Sequence, residues 1–407
     1  GKKSVPVVRV EDTNKELPKL CQKFYDYPDK KLTMIGITGT DGKTTTTTVI
    51  QALIGKKTCG YIGTNGYSYK DFKGDTENTT PDAHNLYRYF NEFVENDCKY
   101  CAMEASSEAY FRKRLEELGL KVTFGKNVME ADPDYMCASR DARVEDLNEA
   151  FRDKNVKAIL TVIGGFNSNQ LLDYIDYDAI KENPIIFCGF SDITALSNAI
   201  HAKTGLVTYS GVHYSSFGML KGFEYSLEHF KKMFFQEDEF EVVASKEWSD
   251  EAWFIDQENR HFEANEGMYV INEGVAEGDI VGGNLCTLNL LQGTEYMPNI
   301  ENKILFIEDD ELSGPIFLME FDRNLQSIMH MPEFKTVKGI VCGRAQKGSV
   351  MTNEKWIKLF KNKPELKHIP VIAGVDFGHT TPIITFPVGG HARLEAKGND
   401  IKLFIKG

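Results

Sequence analysis

Residues 185–194 read Ile-Ile-Phe-Cys-Gly-Phe-Ser-Asp-Ile-Thr, an apolar run that stops abruptly at a glycine, a serine and an aspartate. A buried strand that ends in a sharp turn carrying a serine is how α/β hydrolytic enzymes hold a nucleophile clear of the sheet. Gly189 supplies permissive backbone before the turn, and Asp192 and Thr194 favour a helix start after it. Ser191 is therefore the candidate nucleophile. The competing interpretation is an ordinary strand-to-helix turn with a capping serine.

A second apolar run leads into another glycine-rich loop. Residues 158–163 predict a strand that ends at Gly164 and Gly165. Two neighbouring parallel strands bring both loops to the same carboxyl edge of a sheet, where open α/β sheets place their sites. The amide of Gly165 or Gly164 would then join that of Asp192 as an oxyanion donor. The alternative is a tight turn that merely needs glycine.

A serine nucleophile also needs a base and a group that orients the base. Of the nine histidines, His379 has the best context, because residues 371–382 predict a strand that feeds a glycine-containing turn. Glu308 comes first after the apolar run at residues 304–307, so we prefer it to Glu311 as the orienting acid. The alternative for these carboxylates is a surface acidic loop. Four other histidines lie in less constrained surroundings: His201, His213, His261 and His391.

From about residue 108 to the C-terminus, the chain resembles the serine peptidases of family S66, which comprise LD-carboxypeptidases and microcin C7 self-immunity proteins. The matching blocks follow the family's order and lie at residues 143–151, 164–165, 189–194, 204–209, 282–285, 304–308, 338–344 and 376–379. The resemblance implies that Ser191 is the nucleophile, Glu308 the orienting acid and His379 the general base. It also implies a homodimer.

Two substrate classes compete within that family. LD-carboxypeptidases remove the terminal D-alanine of a murein tetrapeptide, and the immunity branch cleaves an aspartyl-nucleotide linkage. The segments at residues 246–253 and 293–298 resemble the immunity branch more closely. Trp248 and Trp253 could stack on a planar base, or they could simply anchor a loop. Arg344 is a candidate for a forked contact with a substrate carboxylate or phosphate, and Gly164 for the substrate-binding loop.

The first hundred residues carry a different motif. Residues 31–46 predict an apolar strand, a glycine loop and a Lys-Thr pair at a helix start. Backbone amides at a helix N-terminus favour phosphate, a lysine neutralises it, and a threonine hydroxyl suits magnesium. Gly42, Lys43 and Thr44 are therefore candidate nucleotide-binding residues for ATP and Mg²⁺. The motif departs from the full P-loop pattern, because Ile37 stands where the first glycine would be.

That departure is typical of Mur ligases. Residues 5–107 resemble UDP-N-acetylmuramoyl-tripeptide synthetase at residues 39–45, 61–66, 79–82 and 103–107. The resemblance implies that Lys43 and Thr44 hold ATP phosphate and magnesium, that Glu104 binds metal, and that Thr79 and Thr80 touch the sugar-nucleotide. The match then stops, since position 108 is glutamate where the family has histidine. We keep an ATP-binding, ligase-like protein of peptidoglycan precursor synthesis as the alternative function, without expecting ligation.

These blocks predict an α/β fold with an N-terminal P-loop α/β fragment at residues 1–107. A mostly parallel, Rossmann-like sheet domain follows at residues 108–222, and a second mixed α/β domain at residues 241–407, joined by a connector at residues 223–240. The active site would then lie between the two peptidase domains. The family's first strand is missing, and we expect residues 99–107 to replace it, followed by a strand at residues 121–124. A natural fusion, a chimera and a fragment all remain open.

Composition narrows the partners and the compartment. The 407 residues carry a net charge of −13, which argues against nucleic acid or an anionic membrane as the main partner. A small peptide or peptidyl-nucleotide is the expected substrate. The eight cysteines lack metal-ligand spacing, and hydrolysis by these groups requires no metal or other cofactor. No signal peptide or membrane-spanning run is evident, so we expect a cytoplasmic enzyme.

Overall fold

A computed structural model of the chain describes residue 10 and residues 13–37, 43–76, 81–104 and 107–407. The chain divides into two compact units, Gly1–Leu120 and Lys121–Gly407. The division falls later than the predicted boundary after residue 107, because the helix that follows residue 106 stays with the first unit. From residue 121 onward, the two predicted peptidase domains lie together in the second unit.

The first unit contains one five-stranded sheet with helices between its strands. Its elements are α1 (Thr13–Phe24), α2 (Pro28–Lys31), β1 (Thr33–Ile37), α3 (Lys43–Ile54), β2 (Cys59–Gly63), β3 (Gly66–Tyr69), β4 (Phe72–Gly74), α4 (Ala83–Glu95), β5 (Tyr100–Glu104) and α5 (Ser107–Glu116). The strand order is β1-β5-β2-β3-β4. The helix predicted to start at the Lys-Thr pair is confirmed as α3, and β3 and β4 form an antiparallel hairpin.

The pairing of β5 contradicts the prediction that residues 99–107 replace the first strand of the peptidase sheet. Strand β5 pairs in parallel with β1 on one side and β2 on the other, so both of its edges are occupied within the first unit. Residues 100–104 therefore do not replace the missing first strand of the peptidase sheet. Gly60 of β2 permits this packing, since a β-carbon there would lie 2.4 Å from the ring of the buried Phe93 of α4.

The second unit contains most of the chain. Its helices are α6 (Arg140–Arg152), α7 (Tyr177–Glu182), α8 (Thr194–Thr204), α9 (Glu224–Phe235), α10 (Leu285–Asn289), α11 (Phe317–Met329) and α12 (Asn353–Lys361). Its strands are β6 (Ala158–Leu160), β7 (Ile186–Cys188), β8 (Thr208–Ser210), β9 (Phe240–Glu241), β10 (Glu247–Trp248), β11 (Glu263–Ala264), β12 (Tyr269–Asn272), β13 (Gly274–Asn284), β14 (Ile304–Glu308), β15 (Gly339–Gly343), β16 (Val371–Val375), β17 (Phe386–Val388), β18 (His391–Lys397) and β19 (Asp400–Lys406).

Two larger sheets organise this unit. The four-stranded sheet has the order β17-β8-β7-β6, in which β6, β7 and β8 run parallel as predicted. The eight-stranded sheet has the order β12-β16-β15-β14-β13-β18-β19-β9 and is mixed, with β13, β14, β15 and β16 parallel. The strand predicted at residues 121–124 is wrong, because that segment is irregular.

The middle of the eight-stranded sheet is buried on both faces. Along β14, Leu305 and Ile307 belong to one hydrophobic core, and Ile304 and Phe306 belong to the other. Side chains of a strand alternate between the faces of its sheet, so an unbroken apolar run is what two covered faces require. Glu308 follows this apolar run at the end of β14 and is itself buried. Among the described residues, none of the helices is both long enough and apolar enough to cross a membrane.

Candidate active site

Ser191 lies in a sharp turn between β7 and α8, as the sequence predicts. A short 3-10 turn, Ser191–Ile193, connects the strand to the helix. The φ angle of Ser191 is +63°, a left-handed value that residues other than glycine seldom adopt and that often marks a functional site. Gly189 is needed in this turn, because a β-carbon there would lie 2.2 Å from the Thr161 hydroxyl.

Three predicted side chains meet at this turn. The His379 Nε2 atom lies 2.9 Å from Ser191 Oγ, and its Nδ1 atom lies 2.8 Å from Glu308 Oε2. The Glu308 side chain is only 3% exposed and that of His379 is 18% exposed. Such a chain of hydrogen bonds can carry a proton from a hydroxyl to an imidazole whose second nitrogen is fixed by a carboxylate. The three residues follow β7, end β14 and follow β16, respectively.

Two glycines make room for the carboxylate. A β-carbon at Gly378 would lie 2.5 Å from Glu308 Oε2, and one at Gly343 would lie 2.8 Å from the Glu308 β-carbon. Gly378 also has a φ angle of +103°, which side chains rarely tolerate. The turn before His379 therefore passes close to the carboxylate that fixes the imidazole.

Burial and neighbouring charges have opposite effects on the pKa of His379. Burial lowers the pKa of His379, but the charge of Glu308 and its hydrogen bond raise it more strongly, and the result is a pKa of about 9. The neighbouring Asp309 is buried, and this burial, together with the charges of Glu308 and Asp310, raises its pKa to about 7. Its Oδ1 atom accepts a hydrogen bond of 3.0 Å from the side-chain amide of Asn284.

The predicted oxyanion loop lies beside Ser191. A β-carbon on Gly164 would lie 3.2 Å from Ser191 Oγ and 3.6 Å from the Asp192 amide nitrogen. Gly165 adopts a φ angle of +149°. The Asp192 carboxylate accepts a 2.8 Å hydrogen bond from the Ser168 amide, and its carbonyl accepts one of 2.6 Å from the Ser168 hydroxyl. Asp192 thus ties the glycine loop to the serine turn.

The sequence analysis missed an aromatic layer behind the imidazole. The His213 ring stacks on Phe190 at 4.3 Å, and Phe190 packs edge-on against His379 at 5.5 Å. His213 is buried, which lowers its pKa to about 3 and keeps its ring neutral. Its Nδ1 atom lies 2.8 Å from the Thr161 hydroxyl. His213 lies three residues after β8, much as His379 lies four residues after β16, and this placement is the signal that the sequence offered.

Arg344 forms contacts within the protein that the sequence analysis did not predict. Its NH1 atom donates to Asp376 at 2.5 Å, and its NH2 atom donates to Asn265 Oδ1 at 2.7 Å. The guanidinium fork is engaged within the protein, and the contact with a substrate anion stays a prediction. Trp248 is half-buried, with the Arg344 guanidinium 5.1 Å from its ring centre. Trp253 is also half-buried and packs edge-on against Phe254.

The nucleotide-binding candidates in the first unit are described only in part. Lys43 and Thr44 begin α3, whereas Gly42, Thr79 and Thr80 lie outside the described residues. The Thr44 hydroxyl donates to Glu104 Oε2 at 2.9 Å. The buried Glu104 carboxylate also accepts hydrogen bonds from the Tyr61 hydroxyl at 2.6 Å and from the Thr64 amide at 3.1 Å. The threonine and the carboxylate that the ligase resemblance implies for magnesium are therefore adjacent.

An α/β fold with a serine at a strand-helix turn, joined to a histidine and a carboxylate, defines the class of serine hydrolases. The LD-carboxypeptidase N-terminal domain of peptidase family S66 matches residues 99–211, and its C-terminal domain matches residues 277–394. The chain belongs to the S66 peptidase family, and the enzyme is a serine-type peptidase.

Known proteins of this family align with most of the second unit. A putative carboxypeptidase of Bacillus subtilis is 52% identical over 302 residues, which are 74% of this chain and 92% of the relative. The crystal structure of an MccF-like protein from Bacillus anthracis shares 55% identity and a TM-score of 0.73, covering 74% of this chain and 91% of that one. A structure of the microcin C7 self-immunity protein in complex with aspartyl sulfamoyl adenosine shares 30% identity, with a TM-score of 0.64 and coverage of 74% and 90%.

The N-terminal segment matches a second family. The UDP-N-acetylmuramoyl-L-alanyl-D-glutamate–2,6-diaminopimelate ligase of Clostridioides difficile is 34% identical over 154 residues, which are 36% of this chain and 30% of the ligase. The chain therefore carries a Mur ligase fragment before its peptidase part. The peptidase match begins at residue 99, just before β5 of the ligase-like sheet.

Replacing Gly378 tests the packing around the carboxylate. Gly378→Ala should lower kcat/KM at least about 100-fold, because the added methyl group displaces Glu308 from His379. Gly293→Ala is the matched control, since Gly293 also has a left-handed φ of +76° but no atom within 4 Å of the new β-carbon. Both variants should lose about 1–3 kcal/mol of stability through backbone strain. Equal kinetic losses in the two variants would contradict this account.

Proposed function

We propose that the enzyme cleaves an amide bond through Ser191, with His379 as general base and Glu308 as the group that orients it. The observation that carries this proposal is the continuous pair of hydrogen bonds from Ser191 Oγ to His379 Nε2 and from Nδ1 to Glu308. The left-handed backbone of Ser191 supports it, because such strain persists only where the surrounding structure enforces it.

The mechanism follows the groups in turn. His379 takes the Ser191 proton as Oγ attacks the amide carbonyl, and Glu308 stabilises the imidazolium that forms. The amides of Asp192 and Gly165 stabilise the oxyanion of the tetrahedral intermediate. His379 then protonates the leaving nitrogen, and the C–N bond breaks to give an acyl-serine. Water, deprotonated by the same imidazole, releases the acid product and restores Ser191.

Two substrates fit this chemistry: an aspartyl- or peptidyl-nucleotide, and a murein tetrapeptide that ends in D-alanine. The bound aspartyl sulfamoyl adenosine in the immunity protein favours the nucleotide for that relative. Here Trp248 lies next to Ser249, whose backbone pairs with that of Thr381, two residues beyond His379. This placement supports the predicted stacking role of Trp248, and with it the aspartyl-nucleotide. We also propose a homodimer, as the family resemblance implies.

Substitution of the nucleophile tests the proposal directly. Ser191→Ala should lower the turnover of the preferred substrate by about a million-fold, because the substitution removes the hydroxyl that forms the acyl intermediate. Ser327→Ala on α11 serves as the control and should retain full activity. Mass spectrometry of the products would follow an aspartyl-adenylate analogue and a murein tetrapeptide in parallel. Hydrolysis that survives in Ser191→Ala would refute the mechanism, and the wild-type preference identifies the branch.

The pH profile tests the roles of His379 and Glu308. Only neutral His379 can accept a proton, and its pKa is raised to about 9, so kcat/KM should climb as the pH rises from 7 to 9. Glu308→Gln removes the charge that raises this pKa, so the acid limb should move to lower pH while the maximum falls. Glu277→Gln alters an exposed contact of 3.2 Å with His391 and should leave the profile unchanged. An unmoved acid limb in Glu308→Gln would assign the titration to another group.

A second function, magnesium-nucleotide binding by the first unit, is favoured by the contact between Thr44 and Glu104. A hydroxyl and a carboxylate suit Mg²⁺, which usually completes its shell with phosphate oxygens and water. Lys43 would neutralise phosphate charge at the start of α3. These residues fit nucleotide binding, although the rest of the ligase is absent from the match.

Direct titration with a fluorescent ATP analogue and Mg²⁺ checks this second function without relying on catalysis. Lys43→Ala should weaken binding at least about ten-fold through the loss of one phosphate contact. Lys56→Ala, an exposed lysine of the same unit, should bind like wild type. If the wild-type protein shows no saturable binding, the first unit is not a nucleotide site.

A further inference from the structure

One buried carboxylate fastens both ends of the segment that carries the two tryptophans. We call residues 246–264 the arm; it contains β10, β11 and the loop between them. Ser245 precedes the arm and Asn265 follows it. Asp376, at the end of β16, accepts hydrogen bonds from the Ser245 amide at 2.7 Å and from the Ser245 hydroxyl at 3.0 Å. It also accepts one from the Asn265 side-chain amide at 3.3 Å.

Arg344 closes this arrangement into a ring of contacts. Its guanidinium donates to Asp376 and to Asn265 Oδ1, and the Asn265 side-chain amide donates to Ser245 Oγ at 3.0 Å. The Asp376 side chain is 1% exposed and that of Arg344 is 10% exposed. A buried charge pair needs such a complete set of partners, because leaving either charge unpaired in a dry site is costly. The two ends of the arm are therefore fixed relative to one another.

The same carboxylate fixes the arm relative to the general base. Asp376 lies three residues before His379 on one continuous turn. On the other side of His379, the backbones of Ser249 and Thr381 exchange two hydrogen bonds of 2.8 and 2.7 Å. The arm is thus attached to the chain both before and after His379, although its tip at residues 251–259 is largely exposed.

We propose that Asp376, paired with Arg344, is a positioning residue that sets the placement of the arm, and hence substrate specificity, at the Ser191 site. It acts through the arm and touches none of the reacting atoms. The arm in turn presents Trp248 and Trp253 to the part of the substrate beyond the scissile amide. The kinetic part of this inference rests on the proposed function, whereas the structural part does not.

Two variants test the positioning role of Asp376, one by changing Asp376 itself and one by changing a single contact of the arm. Asp376→Asn removes the charge from the ring of contacts, and Asn265→Ala removes one anchor while leaving the Arg344–Asp376 pair intact. Both should raise KM for the preferred substrate about ten-fold and leave kcat within about three-fold, since the serine, histidine and glutamate are untouched. Discrimination between the aspartyl-adenylate analogue and the murein tetrapeptide should fall by a similar factor. Asp322→Asn neutralises the ion-pair partner of the buried Lys363 at 2.9 Å; it is the control for a merely structural loss and should leave KM and the discrimination unchanged.

Hydrogen exchange provides a measurement that needs no turnover. In Asn265→Ala, and in Asp376→Asn if it folds, the backbone amides of Ser249 and of position 265 should exchange at least about ten-fold faster than in the wild type, whereas those of β14 should be unchanged. Faster exchange in the arm together with a KM effect supports the proposal. Unchanged exchange, or a fall in kcat with KM unaltered, overturns it. If the wild type hydrolyses neither substrate, the proposed function fails while the exchange experiment still decides the role of Asp376.

Discussion

The hydrogen bond between Glu308 and His379 is the contact on which the site depends. Glu308 ends a strand whose two faces are both covered, so its carboxylate is buried where an uncompensated charge would be costly. The imidazole supplies the compensation, and the glycine turn before His379 lets it approach to 2.8 Å. The same bond directs the other nitrogen of the ring toward Ser191. Stability of the buried carboxylate and activation of the serine therefore share one interaction.

The buried acidic residues near His379 have different partners and therefore different roles. Glu308 contacts the imidazole, whereas Asp309 accepts a hydrogen bond from the side-chain amide of Asn284. Burial and the charges of the neighbouring acidic residues raise the pKa of Asp309 to about 7. The four consecutive acidic residues at positions 308–311 would otherwise repel one another. On the other side of His379, Asp376 is paired with Arg344 and fastened to the arm. Two carboxylates therefore act near the imidazole. Glu308 raises the pKa of His379, and Asp376 holds the arm beside it.

Much of the site could be predicted because each functional residue follows an apolar strand at a glycine-containing turn, a local pattern. Ser191, Glu308 and His379 are brought together as expected. The pairing of Arg344 with Asp376 could not be predicted, because the two residues are 32 positions apart and a local sequence pattern does not indicate a buried ion pair. Residues 100–104 were misplaced for a related reason. Their apolar pattern suits any central parallel strand, and only the pairing with β1 and β2 shows which sheet they join.

The most direct measurement is covalent labelling with a fluorophosphonate, followed by mapping of the modified peptide. Such reagents phosphorylate a serine hydroxyl that a neighbouring base has activated. The account predicts one adduct, on Ser191, and labelling that is strongly slowed in His379→Ala. Modification of a different residue, or labelling of Ser191 that is as fast without the imidazole as with it, would contradict the claim that these side chains form one catalytic relay.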